Sequence, residues 1–167
     1  MLVVGSQCVL AEGGKYQFEL VVFSQNLPTT EVFDQTESKI KWPTALAELS
    51  AYQQTEGGFL KESAAQLFKH AAYQPITQLS WTQSAGIGDV ILPVHIQHAD
   101  GKLDGYVQLR NNPPLELIVD LEQKSSQLAH SGKYCLYHLH EKRAIKANEV
   151  NYLDHPKLGV LITVKPL

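Results

Sequence analysis

Two histidines, His138 and His140, stand two residues apart in the run YCLYHLHEK. On a strand, alternate side chains share a face, so both imidazoles would point the same way. That spacing can ligate zinc, but zinc requires a third protein ligand. The adjacent sequence offers none, so the expectation is no metal and no cofactor. His95 and His98 are an odd number apart and would fall on opposite faces of a strand. Glu116, Asp120 and Glu122 lie at even spacing in LELIVDLE. A carboxylate pair can carry acid–base chemistry on a glycosidic bond. A strand face turned to water has the same pattern, and that is the expectation here. GxSxG and HExxH are absent, as is a phosphate-binding GxxxxGK[ST]. Gly86-Ile87-Gly88 lacks the third glycine of a dinucleotide fingerprint and leads into a strand. Cys135 lies mid-strand, away from any helix N-terminus that would stabilise a thiolate. The residues therefore point to binding rather than catalysis.

For binding, the aromatic residues matter, because the CH-rich faces of sugars stack on Trp and Tyr rings. Trp42, Trp81, Tyr73, Tyr106, Tyr137 and Tyr152 are available. Trp81, followed by Thr82 and Gln83, reads as lying at a sheet end. Arg143 and Lys146 belong to the densest basic run and suit carboxylates, arginine in bidentate fashion. Asp154-His155-Pro156 is a turn: Asp bonds the backbone ahead of it and Pro presets φ. His155 on that rigid turn, with Asp154 and Tyr152 beside it, completes the candidate set Trp81, Arg143, Lys146, Tyr152, Asp154 and His155.

These residues need elements to hold them. Tyr16–Ser24 alternates with both faces partly apolar, which marks a central strand. Residues 25–41 are polar and aperiodic, a long loop ending at Trp42-Pro43. Thr44 caps an expected short helix to Tyr52. A second helix is expected from Thr55 to Ala71, with Phe59, Leu60, Ala64, Leu67, Phe68 and Ala71 as its apolar stripe. Strands follow at 76–83, 90–98, 103–110, 115–122, 134–142, 150–153 and 158–165, with Asp100-Gly101 as a hairpin turn. Short links make consecutive strands antiparallel. The expected fold class is α+β: an antiparallel meander with two helices packed on one face.

The chain has 167 residues, a formal net charge of −3 and a sequence pI near 6.1. One domain is expected at this length, and the charge balance gives no pull toward nucleic acid. Two cysteines, Cys8 and Cys135, have no CxxC partner. No stretch reaches the roughly 20 apolar residues that span a bilayer. MLVVGSQCVLA ends in a small-residue pattern before Glu12-Gly13-Gly14. It reads as a truncated signal peptide and linker over 1–14, with one domain over 15–167.

Four segments carry a resemblance: YQFELVVFSQ, YQPITQLSWTQ, GKLDGYVQLRNNPPLELIVDLE and KRAIKANEVNYLDHPKLGVLITVKP. The chain resembles the CsiV family, small periplasmic peptidoglycan-binding proteins of γ-proteobacteria. YLDHPKLGVL is the most specific part. The resemblance implies a periplasmic, non-enzymatic protein that binds peptidoglycan. It further implies a role in cell-wall synthesis and cell shape through a lipoprotein activator of a penicillin-binding protein. It transfers no catalytic residue. The alternatives are a protein-binding adaptor without glycan specificity, and a cell-wall glycan hydrolase using the acidic strand face.

Overall fold

Strand β1 (Lys15–Gln25) buries side chains on both faces, as its two-sided pattern requires. It sits between β4 (Tyr73–Ser84) and β10 (Leu158–Pro166), antiparallel to each. The computed structural model describes residues 14–111 and 114–167. Cys8 and the expected leader, apart from Gly14, lie outside the described residues. Beside β4 runs the two-residue β3 (Gln53–Gln54), and beside β10 runs β9 (Asn151–His155), giving a five-stranded sheet in the order β3-β4-β1-β10-β9. A second five-stranded sheet has the order β2-β5-β6-β7-β8. Its members are β2 (Ala47–Glu48), β5 (Val94–Gln97), β6 (Leu103–Arg110), β7 (Leu115–Leu128) and β8 (Tyr134–Ile145). From β5 to β8 it is an antiparallel meander, with β2 parallel at its edge.

The inward faces of the two sheets share one core. Phe18, Leu20 and Val22 of β1 and Val160, Ile162 and Val164 of β10 belong to it. So do Val107, Leu109, Leu117, Val119, Leu121 and Leu139 of the second sheet. Each such side chain contributes about 1.5–3 kcal/mol of burial. Alternation then sends Glu19, Val21 and Phe23 to the outer face of the first sheet, and Asp120 and Glu122 to the outer face of the second.

This architecture corrects the expected α+β fold with two helices. The described residues are mostly strand, in two sheets, with one α-helix, α1 (Lys61–Leu67). The helix expected from Thr44 to Tyr52 is instead β2, a 3-10 turn at Leu49–Ala51, and β3. There the chain passes from the edge of one sheet to the edge of the other, and the Ala47 N–H bonds the Pro93 carbonyl (2.9 Å). Pairing to two sheet edges outweighs a weak local helix preference.

The helix expected from Thr55 to Ala71 is shortened to seven residues. Gly57 and Gly58 carry a poor helix propensity, and the chain stays non-helical through them. The expected stripe is right in its middle. Leu60 and Ala64, with Leu67 and Phe68 alongside, pack on Val21, Phe23 and Leu161 in a second apolar cluster on the outer face. Phe59 remains exposed. The helix entrance is fixed from across the sheet. The buried Glu19 carboxylate accepts the N–H groups of Gly58 (3.1 Å), Phe59 (3.0 Å) and Leu60 (2.9 Å). These are orphan donors that a local cap would otherwise satisfy.

Candidate functional site

A groove of about 700 Å³ opens between α1 and the β9–β10 side of the first sheet. Tyr73 and Tyr152 bring aromatic rings to it, Leu67 and Leu161 apolar surface, and Gln66 and His70 polar groups. Tyr152 is held from below and behind. Its ring stacks nearly parallel (8°) on Phe23 at 6.1 Å. Its hydroxyl lies 2.7 Å from Gln25 Oε1 and 3.0 Å from Asp154 Oδ1. Gln25 Nε2 in turn donates to Asp154 Oδ1 (2.7 Å) and to the His155 carbonyl (2.7 Å). Burial, then the Asp154 carboxylate, raises the phenol pKa well above its ordinary value, so Tyr152 stays a neutral donor. With 41% of its surface exposed, Tyr152 is both oriented and accessible. That combination suits a shallow carbohydrate contact.

The outer face of the second sheet is built differently. Residues 26–46 leave β1 and run across it as a strap. Phe33 meets Tyr137 and His155, with ring centres at 5.3 and 5.5 Å. Its carbonyl accepts from the Cys135 thiol (3.2 Å). Gln35 Nε2 (2.5 Å) and the Lys39 N–H (2.8 Å) donate to Glu122 Oε2, and Ser38 Oγ donates to Oε1 (2.5 Å). The Lys41 N–H donates to Asp120 Oδ2 (3.2 Å). Trp42 closes the crossing against Tyr106 and His95. The expectation of a solvated acidic face is corrected here. Asp120 and Glu122 are buried and serve as acceptors for the strap, while Glu116 pairs with Arg110 (3.5 Å) and Lys142 (3.4 Å).

The strap also lies beside a cluster unforeseen from local sequence. Asp120 Oδ1 is 2.5 Å from His138 Nε2, and Oδ2 is 3.3 Å from His140 Nδ1. The third side chain that His138 and His140 lacked in local sequence comes from the neighbouring strand, where Asp120 is the register partner of His140.

The family model for CsiV, described as a peptidoglycan-binding protein, matches residues 48–167. The chain belongs to the CsiV family. No curated protein and no solved structure matches it. The CsiV match spans α1, β9 and β10, and with them every groove residue except Leu27. β1 and the strap lie outside the CsiV match.

Within this CsiV chain the expected site residues divide. Arg143, Tyr152, Asp154 and His155 gather around β9. Arg143 pairs with Glu141 and donates to the Tyr152 carbonyl (3.2 Å). The Lys157 N–H donates to His155 Nδ1 (3.0 Å). Burial lowers the pKa of that imidazole, against the opposing charges of Glu31 and Asp154. Lys146 is exposed beyond β8. Trp81 stands apart and corrects its reading as a sheet-end contact. It is fully buried between the sheets, stacked on Phe18 at 4.9 Å, with its indole N–H on Gln83 Oε1 (3.4 Å). It offers no face to a ligand. Tyr73, the second groove aromatic, was visible only as one of several tyrosines. Its partnership with Tyr152 depends on β4 and β9 lying in one sheet. Among the described residues, no helix is long and apolar enough to cross a membrane.

Proposed function

We propose that this protein binds peptidoglycan through the Tyr73–Tyr152 groove, as a non-catalytic accessory of the cell wall. The family match supports the ligand class, and the oriented, half-exposed Tyr152 beside Tyr73 supports the location. Two aromatic faces with polar groups at the rim suit a glycan strand, which stacks on its apolar faces and keeps its hydroxyls wet. Lys146 and Arg143, near β9, suit the carboxylates of stem peptides. Asp120 and Glu122 are occupied as acceptors for the strap and the histidines, which argues against the hydrolase reading of that face. A peptidoglycan ligand goes with a cell-envelope location. We place the mature protein in the periplasm, assisting cell-wall synthesis and cell shape through a lipoprotein activator of a penicillin-binding protein.

Co-sedimentation with purified sacculi tests the site. A combined Tyr73→Ala and Tyr152→Ala variant that still melts cooperatively should bind at least about tenfold more weakly, or about 1.4 kcal/mol. Undiminished binding by that variant would move the site elsewhere. No binding by the parent protein would remove the function.

A further inference from the structure

His138 and His140 alternate on β8 and share its outer face, and Asp120 faces them from β7. One donor atom from each of the three side chains lies within 4.8 Å of the other two. Ligands at zinc distances of about 2.0–2.1 Å in a tetrahedron stand roughly 3.4 Å apart. The 3.3 Å from Asp120 to His140 is already near that value, and the 2.5 Å to His138 is a direct hydrogen bond that side-chain rotation would open to admit the ion. We propose that Asp120, His138 and His140 form a binding site for a divalent transition metal of the zinc class, with a further coordination position open to solvent beside His140.

Three observations carry the assignment. First, two imidazoles and one carboxylate are a donor set that zinc and its neighbours take. Calcium and magnesium prefer oxygen ligands, and soft ions prefer thiolates. Second, the Asp120 side chain is only 1% exposed, and the side chains paired with it there, His138 and His140, are themselves of a metal-ligating type. Third, the Lys41 N–H donates to Asp120 Oδ2 and orients it, as outer partners orient metal ligands elsewhere. Access is graded: the His138 side chain is 18% exposed and that of His140 is 47% exposed. The ion enters, and exchanges its remaining ligand, from the His140 side. Glu122 is not a ligand, since both of its oxygens hold the strap.

The test uses the full chain without an affinity tag, stripped with chelator and titrated with zinc and with cobalt(II). Expected are one zinc per chain, a higher melting temperature with zinc, and a cobalt spectrum of a nitrogen–oxygen site without thiolate charge-transfer absorption. His140→Ala removes a half-exposed ligand and should keep a cooperative metal-free melt while weakening zinc by more than the about 10–100-fold that loss of an outer partner costs. Asp120→Asn keeps an acceptor for Lys41 and should likewise abolish stoichiometric uptake. Zinc binding equal in the parent and His140→Ala proteins would overturn the proposal. So would thiolate absorption, which would put the ion on a cysteine, or no uptake by the parent.

Discussion

Phe23 lies over Gly159 across the β1–β10 ladder, so close that a Cβ on the glycine would sit 2.4 Å from the ring. Phe23 also carries the stacked ring of Tyr152. The absence of one side chain thus sets the height of the groove wall. Gly159→Ala should displace Phe23 and destabilise the protein by about 1–3 kcal/mol. At roughly 2–4 °C per kcal/mol for this size, differential scanning calorimetry should register a clear drop. Binding to sacculi should fall with it, and an unchanged melt would contradict the packing described.

Glu122 fastens the strap through Gln35, Ser38 and Lys39. Bonds to a charged acceptor are worth about 1.5–3 kcal/mol each, and water recovers part of this once the strap lifts. Glu122→Ala should therefore cost roughly 2–4 kcal/mol. Amide hydrogen exchange at Lys39 should accelerate selectively. Uniform acceleration across β7 would mean that the sheet, not the strap, had been loosened.

His95 is set between two carboxylates, with Nδ1 at 3.0 Å from Glu48 and Nε2 at 2.7 Å from Asp104. Burial alone would lower its pKa. The bonds to Asp104 and Glu48, with their charges, outweigh burial and hold it above the ordinary 6.5. A raised pKa means the folded state binds this proton more tightly than the unfolded chain. The stabilisation is thus complete below pH 6.5 and fades as pH rises through the folded value. The stability difference between the parent and His95→Gln should shrink over that rise. An imidazole NMR titration with its midpoint at or below 6.5 would refute it.

Lys146 is exposed, and Arg143 keeps part of its guanidinium accessible beside Glu141. A combined Arg143→Ala and Lys146→Ala variant should keep a near-native melt, bind sacculi more weakly, and show a flatter salt dependence, because exposed charge contacts are screened. Identical binding across a salt series would take these charges out of the interaction.

Truncation after Lys157 removes β10, whose Leu158, Val160, Ile162 and Val164 are all fully buried. Four such side chains at about 1.5–3 kcal/mol each approach or exceed a typical total stability of roughly 5–15 kcal/mol. No cooperative transition should remain in circular dichroism.

Much of the strand content was legible because alternation is a local signal. Lys15–Gln25, Leu103–Arg110 and Leu158–Pro166 fall within two residues of their expected bounds. The division into two sheets was not legible. It depends on β1 pairing with β4 and β10, distant segments whose registers no local pattern encodes. The same limit hid Asp120 from His138 and His140, and the strap from its two carboxylates. An even spacing of acidic residues reads the same whether water or a covering loop lies above it. Trp81 was misplaced because Thr82 and Gln83 suggested a polar edge, whereas Gln83 points inward and holds the indole. For the groove, Tyr152 is marked in the sequence by its closeness to the basic run Lys142, Arg143 and Lys146, and the Asp154-His155-Pro156 turn after it holds as β9 meets β10.

The position of β1 also sets an order of events. Its partner β10 lies nearly the whole chain away in sequence, with Tyr16 opposite Pro166 and Ser24 opposite Leu158. The first sheet cannot close around β1 until Leu158–Pro166 is free to join it, and such long-range pairing is slow. While the polypeptide is being made, β1 must wait, unpaired on one flank, until β10 has followed it. Arrival of Leu158–Pro166 is then the event that turns an open first sheet into a closed one.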